Sequence, residues 1–352
     1  MIESLCIKVE TKYGELIRLF ALENNLFNKN CKIKVEGNQI YIPIIRDLTS
    51  EEKSKLDKLD FSYKIIKDNF KSLKEYPKDY RDYLKDKIPD YVYNLLPKSY
   101  DIIGHIAIIE IPNEIKTYEN MIGSALIKTF KNIKTVYAKS SSIGGEFRIR
   151  DLRLIGGTDN PITIHRENHC LFKLNIKKVY YSPRLSTERM RIVNLVSNGE
   201  KIIDMFAGVG PFSIQIAKFK NVKILAFDIN PEAIKYLKEN IILNKITTIT
   251  PILGDVRNFS KKYANYANRV IMNLPGSAFS FLKTACEFIS ENGGIIHYYQ
   301  FAFLDNNLNE LAENIINEIE KYNRKVEKIL YLKKVKQISP NKLQIVIDFK
   351  IN

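Results

Sequence analysis

The chain has 352 residues, 45% of them hydrophobic and 27% charged, an ordinary make-up for a globular protein with room for two or three domains. Its net charge of +15 and isoelectric point near 9.3 point to a polyanionic partner, most often nucleic acid. Cys6, Cys31, Cys170 and Cys286 form no CxxC, the four histidines form no HExxH, and no apolar run reaches the length of a membrane span, so no metal, no disulfide framework and no membrane partner are expected, and the location is expected to be cytoplasmic.

In chain order, residues 1–70 predict a small α+β module. LCIKVE is strand-like, and YGELIRLFALENN places Leu16, Leu19, Phe20 and Leu22 at helical spacing. CKIKVEGNQIYIPII reads as a hairpin turning at Gly37 and Asn38. Ser50 ahead of Glu51, Glu52 and Lys53 is a helix-start signal, and FSYKIIKD closes the module as a strand. The order β-α-β-β-α-β is that of a ferredoxin-like split unit, a fold that carries no fixed function. The charged, tyrosine-rich stretch 71–90, with Pro77 and Pro89, is expected to be a linker with a helix at KDYRDYLKDK. A second α+β module, 91–176, has strands near IIGHIAIIEIP and a helix near ENMIGSALIKTFKN. Its Ser-Ser-Ser and Gly144-Gly145 stretch is expected to be a mobile loop, and Arg148, Arg150 and Arg153 beyond it could clamp a phosphate or a base edge. His165 and His169 have i, i+4 spacing but lie in a strand-and-turn context, so they are expected to be structural.

From 177 to 352 strands and helices alternate. KIIDMFA, KILAFDI, TPILGD, RVIMNLP and GGIIHYYQFA are separated by PFSIQIAK, PEAIKYLKENIILN, a short KKYANY segment and SAFSFLKTACEFI. After the helix NNLNELAENIINEIEKYN, KVEKILYLKKV and KLQIVIDFKI form a hairpin. The expected fold class is therefore α/β: a Rossmann-like, seven-stranded, mostly parallel sheet preceded by two smaller α+β domains.

The stretch KIIDMFAGVGPF organises this domain. Gly208 and Gly210 let the backbone turn sharply next to a ligand, and Pro211 suits the first position of a helix. Asp204, Asp228 and Asp255 each close one of three consecutive strands, where open α/β sheets bind ligands. Asp228 is placed to accept both ribose hydroxyls and Asp255 an adenine amino group, with Ile229 and Val256 against the adenine faces. A single acid of this kind is ordinarily a helix cap, and Asp228 before Pro231 could be one; three behind a DxFxGxG turn are harder to read so. The fourth strand ends Asn273-Leu274-Pro275-Gly276, similar to the NPPY of amine methyltransferases without its aromatic residue. Asn273 can hold a base edge or the cofactor, and the Pro275 carbonyl can accept a hydrogen bond.

KVYYSPRLSTERMRI, DMFAGVGPFSI, AFDINPEAIKYLKENIILN, GDVR, VIMNLPGSAFSFL and GGIIHYY together resemble the archaeal and eukaryotic tRNA (guanine-37 N1)-methyltransferase family over roughly 144–299. The resemblance implies S-adenosylmethionine as cofactor, tRNA as partner and methylation of N1 of the guanosine 3′ to the anticodon. It implies catalytic roles for Glu188, Arg148, Asn273 and Pro275. It places Tyr180, Arg184 and Arg189 in the segment leading to the cofactor, with Asp204, Phe206, Gly208, Asp228, Ile229, Asp255, Val256 and Asn273 around it. The first domain is implied to read the outer corner of tRNA, though 46–100 departs from the family pattern, and a monomer is expected. Guanine N1 carries a proton at neutral pH, so Glu188 would act as general base, and Arg148 would steady the charge that builds on O6. Two rivals stay open: action on a wyosine precursor, by C7 methylation or aminocarboxypropyl transfer, and a non-enzymatic RNA-binding protein with a relic cofactor fold.

Overall fold

The structure, a computed structural model, describes residues 1–72, 79–141, 144–145, 147 and 149–352. Arg148 and the Ser142–Ile143 part of the expected mobile loop lie outside the described residues. Contacts divide the chain into two compact units, Met1–Lys78 and Asp79–Asn352.

The first unit has strands β1 (Ile2–Glu10), β2 (Lys34–Glu36), β3 (Gln39–Ile44) and β4 (Lys64–Phe70) and helices α1 (Gly14–Glu23) and α2 (Ser50–Asp57). The sheet order β2-β3-β1-β4, antiparallel throughout, is that of the expected split unit. Strand alternation buries Ile7, Val9, Ile42 and Ile44 against Ile17 and Ala21 of α1. The start of α2 lies one residue earlier than expected. Thr49 is the cap: its side chain accepts from the Glu52 N–H at 3.2 Å, and Glu52 accepts from the Thr49 N–H at 2.7 Å. Thr49, not Ser50, has the three-residue offset to Glu52 that a reciprocal capping box needs.

The second unit opens with a short 3-10 turn, Tyr80–Tyr83, and α3 (Asp90–Leu95). Tyr80, Leu84 and Ile88, in the stretch expected to be linker, are buried with Val92, Ile109, Ile122 and Leu126. The Tyr80 hydroxyl donates to the Pro97 carbonyl at 2.7 Å, so this aromatic ring is a core residue with its polar end satisfied. Among the described residues of KDYRDYLKDK, 79–87, no α-helix forms. The sheet β5 (Tyr100–Ile103), β6 (Ile106–Ile109), β7 (Thr135–Lys139), β8 (Leu152–Gly157) is ordered β5-β6-β7-β8 and backed by α4 (Glu119–Thr129). A two-stranded hairpin, β9 (Ile162–Glu167) and β10 (Cys170–Asn175), follows.

The large domain then alternates as α5 (Ser186–Leu195), β11 (Lys201–Asp204), α6 (Pro211–Phe219), β12 (Lys223–Asp228), α7 (Pro231–Leu243), β13 (Ile249–Leu253), β14 (Arg269–Met272), α8 (Leu282–Phe288), β15 (Gly294–Phe303), α9 (Leu308–Glu320), β16 (Val326–Ser339) and β17 (Lys342–Ile351). Its seven strands are ordered β13-β12-β11-β14-β15-β17-β16, with β17 antiparallel to both its neighbours. The segment KKYANY forms no helix; the β13–β14 link carries only a 3-10 turn, Val256–Phe259. One face of the sheet (Ile202, Ile224, Ile271, Val346) packs on Ile192, Ile214 and Leu237 of α5, α6 and α7. The other (Ile203, Leu225, Val270, Ile347) packs on Leu282, Phe288 and Ile315 of α8 and α9. The strand order reverses between β11 and β14, which opens a crevice at their carboxyl ends. No helix among the described residues is long and apolar enough to cross a membrane.

Asn240 of α7 and Asn244, which caps its carboxyl end, close the free edge of β10. Asn240 accepts from the Lys173 N–H at 2.7 Å and donates to the carbonyls of Lys173 and Val209; Asn244 pairs in the same way with Leu171. Each side-chain amide thus substitutes for a missing strand. Asn240→Ala would strand three backbone groups, one buried and two partly buried, at about 1–3 kcal/mol each if none found water. The expected outcome is a loss of about 3 kcal/mol in urea unfolding, with faster amide exchange at Lys173; an unchanged midpoint would show that the hairpin is held otherwise.

Candidate active site

The site is built around the turn after β11. Ala207 donates to the Phe227 carbonyl at 2.7 Å, and the chain then passes through Gly208 and Gly210 at φ of 55° and 89° into α6. A Cβ on Gly210 would sit 2.4 Å from Leu237 Cδ1, so glycine is demanded there by packing as well as by φ. At Gly208 a Cβ would meet nothing closer than the Tyr180 carbonyl at 3.9 Å, so its ligand side is open.

Asp228 belongs to this turn. Its Oδ2 accepts from the Gly208 N–H at 2.7 Å and its Oδ1 from the Asn230 N–H at 2.9 Å. It is not the cap of α7, a part played by Asn230, whose side chain accepts from the Glu232 N–H at 2.9 Å. Burial raises the Asp228 carboxyl above its usual range, and the two N–H groups act in the opposite direction. Both oxygens keep a lone pair for hydroxyl donors.

Asp204 lies deeper, only 1% exposed. Its Oδ2 accepts from the Ser213 hydroxyl at 2.7 Å, while Oδ1 has no partner. Burial, reinforced by the nearby Asp228, pushes its carboxyl up to about 7. A buried carboxylate oxygen without a donor, beside a glycine turn, is the arrangement that a cationic ligand group would satisfy. Asp255, by contrast, caps the Val256–Phe259 turn and pairs with Arg257, whose Nε lies 3.0 Å from each carboxylate oxygen; that pair holds its carboxyl below the usual range. Val256 is buried in the core with Phe227, whereas Ile229 is exposed, so of these two Ile229 is the one that presents a free apolar face at this end of the sheet. Phe206 stands edge-on to Phe281 at 4.9 Å.

The segment that leads into the domain divides in two. Tyr180 sends its carbonyl toward Gly208. Arg184 donates through Nε to Asp101 of β5 at 2.6 Å, joining the two packed modules of this unit. Arg189 is buried, donates to both oxygens of Glu167 at 2.7 Å and to the Ser182 carbonyl at 2.8 Å. Both guanidinium groups are therefore engaged by protein carboxylates. His165, also structural, accepts at Nδ1 from the Gly104 N–H at 3.1 Å.

Glu188 stands one residue before that anchor. Its Oε1 accepts from the Tyr299 hydroxyl at 2.6 Å and from Arg191 Nη2 at 2.7 Å, and its Oε2 from Arg191 Nε at 2.8 Å. Met272 is in register with Tyr298, so Tyr299 on β15 lies level with Asn273 just beyond β14. Asn273 Oδ1 accepts from Gln344 Nε2 at 3.1 Å, and the Pro275 carbonyl accepts from the Phe301 N–H at 3.1 Å. Asp204, Asp228, Asn273 and Glu188 thus converge on the carboxyl ends of the central strands. Sequence reasoning missed Tyr299, Gln344, Arg191 and Glu167. A polar residue within an otherwise apolar strand, as in GIIHYYQF or KLQIVIDF, was the available signal. Arg153, in the basic stretch, is paired with Glu119 at 3.0 Å. No cluster of metal-ligating side chains occurs among the described residues.

Strand order, glycine turn and strand-end acids define a Rossmann-like class I methyltransferase domain, whose cofactor is S-adenosylmethionine. Residues 163–334 match the TRM5/TYW2 methyltransferase domain, 80–160 the TYW2 N-terminal domain and 6–52 the tRNA methyltransferase 5 N-terminal domain. The tRNA (guanine(37)-N(1))-methyltransferase Trm5b of Pyrococcus abyssi is 42% identical over 349 residues, 99% of each chain. A solved complex of aTrm5 with tRNALeu superposes with a TM-score of 0.76 at 37% identity, covering 99% of this chain and 100% of the other. A tRNA(Phe) (4-demethylwyosine(37)-C(7)) aminocarboxypropyltransferase of Pyrococcus horikoshii is 31% identical over 77% of this chain and 95% of its own. The chain belongs to the Trm5 family of tRNA methyltransferases and is an S-adenosylmethionine-dependent tRNA methyltransferase.

The displaced Asp204 carboxyl sets a pH-dependent trade. Its folded-state value near 7 exceeds the ordinary carboxylate value of about 4, so the charged form burdens the ligand-free fold fully above pH 7 and releases that burden as the pH falls toward 4. His297, buried and held below its usual value, has the opposite sign and is common to parent and variant. Asp204→Asn is expected to raise the melting temperature of the ligand-free protein at pH 8, to flatten the gain the parent shows between pH 8 and pH 5, and to weaken cofactor binding in calorimetry. A variant that is less stable at pH 8 and binds cofactor normally would remove Asp204 from the site.

Proposed function

We propose that this enzyme methylates N1 of guanosine 37 in tRNA, with Glu188 as general base. The observation that carries the reading is the placement of Glu188: fixed by Tyr299 beside Asn273, at the ends of the strands that bear Asp204 and Asp228. In this reading the Asp228 oxygens take the ribose hydroxyls of the cofactor, the free Asp204 oxygen faces its cationic amino-acid portion, and Gly208 permits close approach of the backbone. The cofactor supplies an activated methyl group. The chain's own contribution is to place the base in line with it and to take the N1 proton. Asn273 holds the base edge, oriented by Gln344, and Arg148 is assigned to the charge on O6. The amino-terminal unit, matched by the tRNA methyltransferase 5 N-terminal domain, is assigned to the outer corner of tRNA. The +15 charge fits a phosphate-rich partner.

The match of 80–160 to the TYW2 N-terminal domain supports a second reading, in which the same nucleotide is addressed as a wyosine precursor. Nucleoside mass analysis of tRNA incubated with the enzyme and labelled cofactor separates the two, because methylated guanosine differs in mass from a wyosine precursor carrying either a methyl or an aminocarboxypropyl group.

Glu188→Gln is expected to lower single-turnover methyl transfer at neutral pH by roughly 10²-fold, within the usual span for a placed base, while cofactor and tRNA affinities hold. Raising the pH should restore part of the rate, since hydroxide can remove the N1 proton. Arg148→Ala should also slow the step without that rescue. Full rate in the glutamine variant at neutral pH would move the base elsewhere.

A further inference from the structure

Beyond Glu188 runs a buried chain of polar side chains that crosses the face of the sheet beneath it. Arg191, one turn along α5, grips both Glu188 oxygens and also donates from Nη1 to Asp348 Oδ2 at 2.6 Å. Asp348, on β17 and 1% exposed, accepts at Oδ1 from His297 Nδ1 at 2.6 Å. His297 Nε2 lies 2.7 Å from Arg269 Nη1. A guanidinium only donates, so Nε2 accepts, Nδ1 carries the single proton, and the imidazole is neutral. Arg269 in turn is paired with Glu200, Nε to Oε2 at 2.7 Å.

Around Glu188 the charged and titratable groups are few. Helix α5 contributes Arg191, β15 contributes Tyr299 and His297, β17 contributes Asp348, and β16 contributes Tyr331, whose ring lies 4.2 Å beneath the Arg191 guanidinium. Tyr299 is raised well above its usual value, first by burial and then by Glu188 itself, so it stays a hydroxyl donor. Burial works against a charged Asp348, yet His297 and Arg191 hold its carboxyl below the usual range.

We propose that Asp348, acting through Arg191, is a positioning residue that both aims Glu188 and keeps it able to accept the N1 proton. The inference rests on Glu188 being the base. Two carboxylates share one guanidinium. With all three ionised the group carries one negative charge in excess, and a proton arriving on Glu188 makes it neutral. Without the Asp348 charge, Glu188 and Arg191 are a neutral pair, and the same proton would leave an uncompensated, partly buried cation, which a lowered dielectric penalises. The receiving atom is Oε2, which has one protein donor where Oε1 has two. The step balances: the N1–H bond breaks, its electron pair stays on N1 to attack the methyl carbon, and the proton bonds to Oε2. Strand β17 would then position the site twice, since Gln344, four residues before Asp348 and on the same face of the strand, holds Asn273.

The test uses single-turnover methyl transfer on tRNA by the full-length enzyme across pH. Asp348→Asn keeps the shape and removes the charge. It is expected to slow the step roughly tenfold at neutral pH, a fraction of what a base contributes, with the deficit shrinking as pH rises and with cofactor and tRNA affinities unchanged. Added to Glu188→Gln it should cost nothing further, because it acts through that residue. Should the asparagine variant unfold, Arg191→Lys, which keeps the charge and loses the fork, carries the same pH readout and the same null effect in the Glu188→Gln background. A deficit of equal size at every pH, or one that multiplies with Glu188→Gln, would overturn the positioning role while leaving the base assignment standing. Full rate in Glu188→Gln alone would instead overturn the base assignment.

Discussion

Much of the site hangs on the buried pair between Glu167 and Arg189. Glu167, at the end of β9, accepts from Arg189, from the Tyr181 hydroxyl at 2.8 Å and from Gln215 of α6 at 2.7 Å. Three other pieces of chain thereby converge on one carboxylate. Such a pair is weak evidence of stability, because desolvation offsets much of the attraction, but removing one partner is costly, about 3–5 kcal/mol. Its structural consequence is positional. Arg189 fixes the first turn of α5, and the neighbouring residue on that turn is Glu188. An Arg189 tied in this way also explains why it does not stand free beside the glycine turn.

The sheet contributes a second constraint. Its central strands run parallel and end together, which brings Asp204, Asp228 and Asn273 to one edge. The terminal hairpin reverses direction, so β17 runs back beneath that edge and can place polar side chains under it. His297 and Asp348 are paired in register, as are Phe301 and Gln344. Polar residues at those points are expensive in a core, and each is satisfied by a named partner, which makes the row a specified network rather than a defect.

Asp204 carries a cost for the fold that surrounds it. An acid with one oxygen unpartnered, in a fully buried position, weakens the ligand-free protein at neutral pH. A ligand that bound only the folded chain at this point would offset that cost by mass action.

The local elements were legible in the chain because they rest on near-neighbour rules. Alternating apolar residues marked β1 and β3, glycines marked the turn at 208–210, Pro211 and Pro231 marked helix starts, and a seven-stranded, mostly parallel sheet followed from alternating strands and helices closed by a hairpin. Asp204, Asp228, Asn273 and Glu188 could be nominated from spacing and family resemblance. What spacing could not decide was which charges meet. Glu167 and Arg189 are 22 positions apart, and Arg191 and Asp348 are 157 apart. Asp228 and Asp255 look alike as strand-end acids, yet one faces the glycine turn and the other is held by Arg257. Tyr80 looked like part of a charged linker until its ring found a core to fill. Burial and pairing are properties of the assembled structure: the sequence sets each side chain's charge and donors, but only the packed chain sets the dielectric and the partner that decide what that side chain does.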